Sequence, residues 1–244
     1  MQYNSVKNEK IKDLKKLSQK KYREKTKTFI VEGFHLVKEA EKSGYLKEVL
    51  SEMPYTSKVE NHIINRQITN YLTEVESPQG IFGICQIKEN EIKGDHILIL
   101  DGIQDPGNMG TIIRTSAAFD IDTIIVNDKC TDPYSSKVVR STQGMIFYQN
   151  IVKKDISEII ENLKPEYKIY GTKVNGGKEL KSIEKNPKFA IIMGNEGNGV
   201  ESKILDKCDE YIYINMNKNC ESLNVAVATS IILYEFKRWK KWFI

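Results

Sequence analysis

Residues 96–119 read HILILDGIQDPGNMGTIIRTSAAF. The apolar run 96–100 predicts a buried strand, and the stretch after it carries Pro106 with Gly102, Gly107 and Gly110, a composition for a tight turn that lets other groups approach the backbone closely. A helix follows over 109–119. Met109, Ile112, Ile113, Ser116 and Ala117 recur there at i, i+3, i+4, i+7 and i+8, a narrow face for packing on a sheet. Arg114 lies off that face, roughly 130° from its centre at about 100° per residue. Its planar fork of donors suits a phosphate; the plainer alternative is a surface arginine on a helix capped by Asn108.

The same strand, loop and helix order continues downstream. Strands are predicted over 123–126, 147–152, 168–174, 189–193 and 211–215, and helices over 135–144, 156–163, 200–207 and 223–239. Such alternation indicates a mostly parallel sheet with crossover helices, an α/β fold in which ligands bind beyond the carboxyl ends of the strands. The loops after 193 and 215 are therefore the next to read. In Met193-Gly194-Asn195-Glu196-Gly197-Asn198-Gly199 the glycines run G-x-x-G-x-G, not the G-x-G-x-x-G of a dinucleotide loop. The run 171–178, GTKVNGGK, has the wrong spacing for a P-loop. A carboxylate at Glu196 would repel phosphate but could pair with an arginine or sit near a helix N-terminus. The third loop, 214–224, leads into VAVATSIIL, apolar all round and hence expected to be buried, with Ser222 or Asn224 as its cap.

Outward toward the N-terminus, Ile11, Leu14 and Leu17 among lysines predict one amphipathic helix from 8 to about 21. A strand at 29–33, a helix at 34–43, a strand beginning at 48 and a last strand near 80–85 make a smaller α/β unit. The polar run 88–95, KENEIKGD, has linker composition and puts the boundary between domains at 1–92 and 93–244.

The whole chain of 244 residues has a formal net charge of +4, 40% hydrophobic residues and 29% charged ones, which excludes disorder and collagen-like repeats. The charge is unevenly placed. Residues 1–30 are net +7, while 95–244 hold 20 basic and 20 acidic residues. A basic end on a neutral body hints at a polyanionic partner, against the alternative of a solvated helix rich in lysine. Four scattered cysteines and three histidines at no ligand spacing suggest neither a metal site nor a disulfide framework. With no apolar run near 20 residues and a charged N-terminus, a cytoplasmic protein with no membrane partner is expected.

Three segments, DGIQDPGNMGTIIRTSAAF, IIMGNEGNGV and INMNKNCESLNVAVATSIILYEF, resemble in order and spacing the three motifs of the SpoU (TrmH-like) branch of the SPOUT RNA ribose methyltransferases. KNEKIKDLKKLSQKKYREKTKTFIVEGFHLV and SPQGIFGI are similar to the ribosomal-protein-like substrate-binding domain that precedes many of them. The resemblance implies a C-terminal α/β trefoil-knot domain, a homodimer, and S-adenosylmethionine as cofactor. It implies cofactor contacts at Gly194, Ile214 and Leu223, with Met193 and Met216 beside them, and catalytic or substrate-site roles for Asn108, Arg114, Glu196, Ser222 and Asn224. The family's arginine is held to help deprotonate the ribose hydroxyl; because arginine stays protonated to a pKa of about 12.5 or above, a phosphate clamp that stabilises the forming alkoxide is the alternative. Asn215 stands where the family commonly has proline.

Ribose 2′-O-methylation of structured RNA follows as the leading function, with rRNA favoured over tRNA because a separate N-terminal module is present. Lys15, Lys16, Lys20, Lys21 and Arg23 are the expected RNA contacts. A non-catalytic RNA-binding or ribosome-assembly protein, a tRNA methyltransferase and a generic nucleotide-binding enzyme are the competing readings.

Overall fold

The computed structural model describes residues 1–184 and 186–238; the expected helix end at Trp239 lies outside them. By its contacts the chain divides into two units. One comprises Met1–Glu89 together with Asp132–Tyr148, and the other Asn90–Thr131 and the chain from Gln149 onward. A single cut between 92 and 93 therefore misses an excursion. The segment 132–148 leaves the second half of the sequence and packs with the first.

The first unit runs β1 (Gln2–Tyr3), α1 (Glu9–Lys16), α2 (Lys20–Thr26), β2 (Thr28–Glu32), α3 (Phe34–Lys42), β3 (Leu46–Ser51), β4 (Glu60–Ile64), α4 (Arg66–Leu72) and β5 (Ile81–Gln86). Its five strands lie in the order β1-β4-β3-β5-β2. The single amphipathic helix expected over 8–21 is two helices. Gln19 is extended (φ −100°, ψ 132°), and the Arg23 guanidinium closes the break by donating to the Leu17 carbonyl at 2.7 Å. A carbonyl at the end of a helix lacks an intrahelical partner, and Arg23 supplies one. The core gathers Ile11, Leu14, Leu50, Ile64, Ile68, Phe82 and Ile84. On its other side Phe29 meets Tyr134 and Phe147, with ring centroids 5.0 and 6.2 Å apart, so the excursion contributes aromatic packing to this unit.

The second unit begins with β6 (His96–Asp101), α5 (Pro106–Ala118) and β7 (Thr123–Val126). After the excursion, which carries α6 (Ser136–Ser141), it continues with β8 (Ile151–Lys153), α7 (Ile156–Leu163), β9 (Lys168–Thr172), β10 (Lys178–Glu179), β11 (Phe189–Gly194), α8 (Ser202–Leu205), β12 (Glu210–Tyr213) and α9 (Val225–Arg238). Seven strands form one sheet in the order β10-β12-β9-β11-β6-β7-β8, and every pairing is parallel. β6 and β11 are adjacent, in register from His96 against Phe189 to Asp101 against Gly194, and both are buried along their whole length. Strands covered on both faces read as unbroken apolar runs, which is how HILIL and FAIIM stand in the sequence. The strand expected at 147–152 forms only over Ile151–Lys153, since Met145–Phe147 makes a 3-10 turn. α9 is not buried all round. Val227, Ile231 and Tyr234 remain exposed, Tyr234 with its ring edge-on to Phe119 at 5.9 Å between centroids.

Candidate active site

The loops after β6, β11 and β12 end on the same side of the sheet because all the strands are parallel. At the first of them Asp105, not Asn108, caps α5. Its Oδ1 accepts the Asn108 N–H at 2.8 Å, and Pro106 fills the first helical turn, where its missing N–H costs nothing. The Asn108 side chain is thereby released. Its Nδ2 donates to Glu196 Oε1 at 3.1 Å and its Oδ1 accepts from Asn224 Nδ2 at 2.9 Å. Asn224 caps α9, where its Oδ1 accepts the N–H groups of Ala226 and Val227 at 3.0 and 3.2 Å. Glu196 also accepts the backbone N–H groups of Gln104 and Asp105 at 3.3 and 3.2 Å. One chain of hydrogen bonds, Glu196–Asn108–Asn224, thus ties the three loops together.

Glu196 is held below the ordinary carboxylate range. Partial burial alone would raise it, but the donors from Asn108 and from the backbone of Glu196, Asp105 and Gln104 outweigh that effect. It is an ionised acceptor with its lone pairs engaged, suited to fixing loops and poorly suited to taking a proton. Asn195 shapes the turn beside it. Its Oδ1 accepts from Gly197 and Asn198, and its Nδ2 donates to the Gly102 carbonyl at 2.8 Å. Gly194 has no room for a side chain, because an added Cβ would fall 2.1 Å from both Gly199 C and Val200 N.

The loops after β11 and β12 line a cavity of about 450 Å³. All five expected cofactor residues, Met193, Gly194, Ile214, Met216 and Leu223, line it, together with Glu196 and Ser222. Asn108 and Asn224 stand behind Glu196 and outside the lining. Arg114 is exposed on α5 and has no hydrogen-bond or ion-pair partner among the described residues. In the first unit Lys20 and Lys21 are exposed, and Lys15 and Lys16 half-buried. The expectation for Arg23 is corrected. It is 4% exposed, its Nε and Nη2 both donate to Asp132 Oδ2 at 2.8 and 2.6 Å, and its Nη1 donates to the Leu17 carbonyl, so all three nitrogens are engaged inside the unit and the buried fork is not presented to RNA.

Two groups escaped the sequence reading. Asp101, 2% exposed, accepts from Asn127 Nδ2 and from the Glu201 N–H, and burial pushes its carboxyl up. The discarded run after Gly171 supplies Thr172, Lys173, Val174 and Asn175 to the cavity wall. Nothing in its spacing signals this, since the wall follows from β9 lying beside β11 and β12.

Residues 95–234 match the family model described as the SpoU rRNA Methylase family, and residues 8–83 that of the MRM3-like substrate binding domain. The chain belongs to the SpoU rRNA methylase family. It is 39% identical over 245 residues to the 23S rRNA (guanosine(2553)-2'-O)-methyltransferase RlmP of Bacillus subtilis (strain 168), an alignment covering 97% of this chain and 99% of that one. Among solved structures it is similar to an rRNA methyltransferase from Sinorhizobium meliloti, with TM-score 0.89, 28% identity and 98% of each chain covered. The AdoMet-bound structure of an rRNA methyltransferase from the same organism gives TM-score 0.87 at the same identity and coverage. For a SpoU methylase the cavity has the size of an ordinary small-molecule site and is walled by a glycine-rich loop with apolar side chains, a lining that fits S-adenosylmethionine.

Proposed function

We propose that this SpoU methylase transfers a methyl group from S-adenosylmethionine to the 2′-hydroxyl of a guanosine ribose in 23S rRNA. The observation that carries the reading is the chain Glu196–Asn108–Asn224, which locks three loops beside a cavity lined by every expected cofactor residue. Likeness over the full length to an enzyme named for a 23S rRNA guanosine supports the substrate.

When bound, S-adenosylmethionine supplies a methyl group made electrophilic by its sulfonium. Gly194, Ile214 and Leu223 would hold it through backbone groups, with Met193 and Met216 packing alongside and Ser222 at the edge. Glu196, through Asn108 and Asn224, keeps the loops from moving apart, so the reacting atoms meet without a further cost in ordering. Arg114, uncommitted to any partner, clamps a phosphate of the RNA and stabilises the negative charge that develops on the ribose oxygen. It acts as a fixed cation, because its pKa of about 12.5 or above leaves almost none of it deprotonated at neutral pH.

RNA is gripped by the first unit through Lys15, Lys16, Lys20 and Lys21. A homodimer is part of the same reading, supported by the exposed stripe Val227, Ile231 and Tyr234, which recurs at i, i+4 and i+7 along α9. Likeness to the family also supports the trefoil knot in the second unit, and an rRNA substrate supports a cytoplasmic location. No helix among the described residues is long and apolar enough to cross a membrane.

Labelled methyl transfer from S-adenosylmethionine into rRNA from cells lacking the protein, followed by mapping of ribose methylation, tests the proposal. One 2′-O-methylguanosine in 23S rRNA is expected. RNA binding without cofactor binding or transfer would leave a non-catalytic RNA-binding protein.

A further inference from the structure

Phe34 is 53% exposed although it opens a helix of the first unit whose next turns are well packed. Its position is fixed by the backbone. β2 ends at Glu32, and Gly33 turns the chain at φ +101°, a value that disfavours any residue with a Cβ. The Gly33 N–H is held by the Ile81 carbonyl at 3.0 Å and the Phe34 N–H by Gln79 Oε1 at 2.9 Å. The ring is therefore presented from a rigid corner. Tyr55, on the loop between β3 and β4, stands beside it with centroids 6.3 Å apart and planes tilted by 50°. Lys38 lies one helical turn further along the same face of α3, exposed and without a partner among the described residues.

The surroundings connect this corner to the basic helices. One small depression in the first unit is lined by Lys15 and Arg140 and by Glu32 and Leu36, two residues before and two after Phe34. An exposed aromatic ring with a neighbouring cation suits a base that has left its helix. Unpaired RNA bases stack on aromatic side chains, and the cation meets the adjoining phosphate.

We propose that Phe34, flanked by Tyr55, is a stacking platform for one unpaired nucleotide of the RNA substrate, with Lys38 on the phosphate beside it. The proposal deepens the RNA reading above and rests on it: the lysines of α1 and α2 attract RNA of any sequence, whereas Phe34 recognises an unstacked base and so steers the enzyme to a loop or bulge.

The test uses the full chain and two probes, a single-stranded RNA of about 12 nucleotides carrying 2-aminopurine and a perfect RNA duplex of the same length. The wild-type protein is expected to quench the 2-aminopurine on binding. Phe34→Ala should weaken single-strand binding about tenfold with its melting temperature and the salt dependence of binding unchanged, and Phe34→Trp should restore it. Lys38→Gln should lower the slope of log K against log salt by about one. Wild-type affinity in Phe34→Ala, or an equal loss on the duplex, overturns the platform while leaving the RNA reading intact. Failure of the wild-type protein to bind either probe or rRNA overturns both.

Discussion

In the second unit, three polar side chains, Glu196, Asn108 and Asn224, hold one another beside a cavity, and Arg114, in the later half of α5, makes no hydrogen bond or ion pair among the described residues. The first unit is the reverse. Its lysines spread over the surface of α1 and α2, Lys15 and Lys21 over the rings of Tyr71 and Tyr22 and Lys16 paired with Asp13 at 2.7 Å, while its one arginine in that region is locked inside by Asp132 and the Leu17 carbonyl. The two arginines carry the lesson. Arg23 arises in a basic cluster and is structural, and Arg114 arises in a neutral region and is left for chemistry. Local charge density does not say which cation is free; the count of acceptors around it does.

The contrast can be broken most severely at Arg114. Arg114→Ala should lower kcat by about a hundredfold to a thousandfold, as loss of a preorganised charge-stabilising donor does, with the dissociation constant for S-adenosylmethionine unchanged by calorimetry. Full turnover in Arg114→Lys at saturating RNA would remove the arginine from the mechanism. Arg23→Ala should instead leave cofactor affinity alone and destabilise the protein by about 3–5 kcal/mol in denaturant unfolding, because it strands the mostly buried Asp132 carboxylate. Gly194→Ala belongs to the second unit, where the added methyl must displace backbone at Gly199 and Val200. Cofactor binding should fall below detection while RNA affinity persists.

Smaller effects sharpen the same comparison. Replacing Lys15, Lys16, Lys20 and Lys21 with Gln should weaken RNA binding and lower its salt slope by up to about 3–4, with cofactor affinity unaffected. Unchanged RNA binding would return them to the role of a solvated face. The mildest effect is at Glu196. Its carboxyl is held below its ordinary value, so its stabilisation of the loops is complete above about pH 4.5 and is lost as pH falls through the folded pKa. Cofactor affinity should be flat from about pH 8 to pH 5 and decline on further acidification, and Glu196→Gln should flatten that decline.

Much of this was legible in the residue order. HILIL and FAIIM announced two central strands, and the cap of the last helix was narrowed to Ser222 or Asn224, of which the structure uses Asn224. The expected cofactor residues, named through the family resemblance, all face one cavity. Less legible were β4 and α4, where Glu60–Leu72 mixes polar and apolar residues without a clean period, and the break at Ser18–Gln19, which depends on a guanidinium reaching back to Leu17. The capping of α5 moved to Asp105 because Pro106 after it fixes the first turn, and only that move released Asn108 for Glu196.

By itself the sequence determined the α/β alternation, the order of the three loops and the neutrality of the region that holds them, since these depend on local periodicity, turn chemistry and composition. Tertiary structure alone decided that residues 132–148 complete the first unit, that Arg23 is consumed and Arg114 is not, and that Thr172 to Asn175 wall the cavity. Each of those outcomes joins residues far apart in the chain, and whether a polar group is satisfied depends on what the folded chain brings within hydrogen-bonding distance of it.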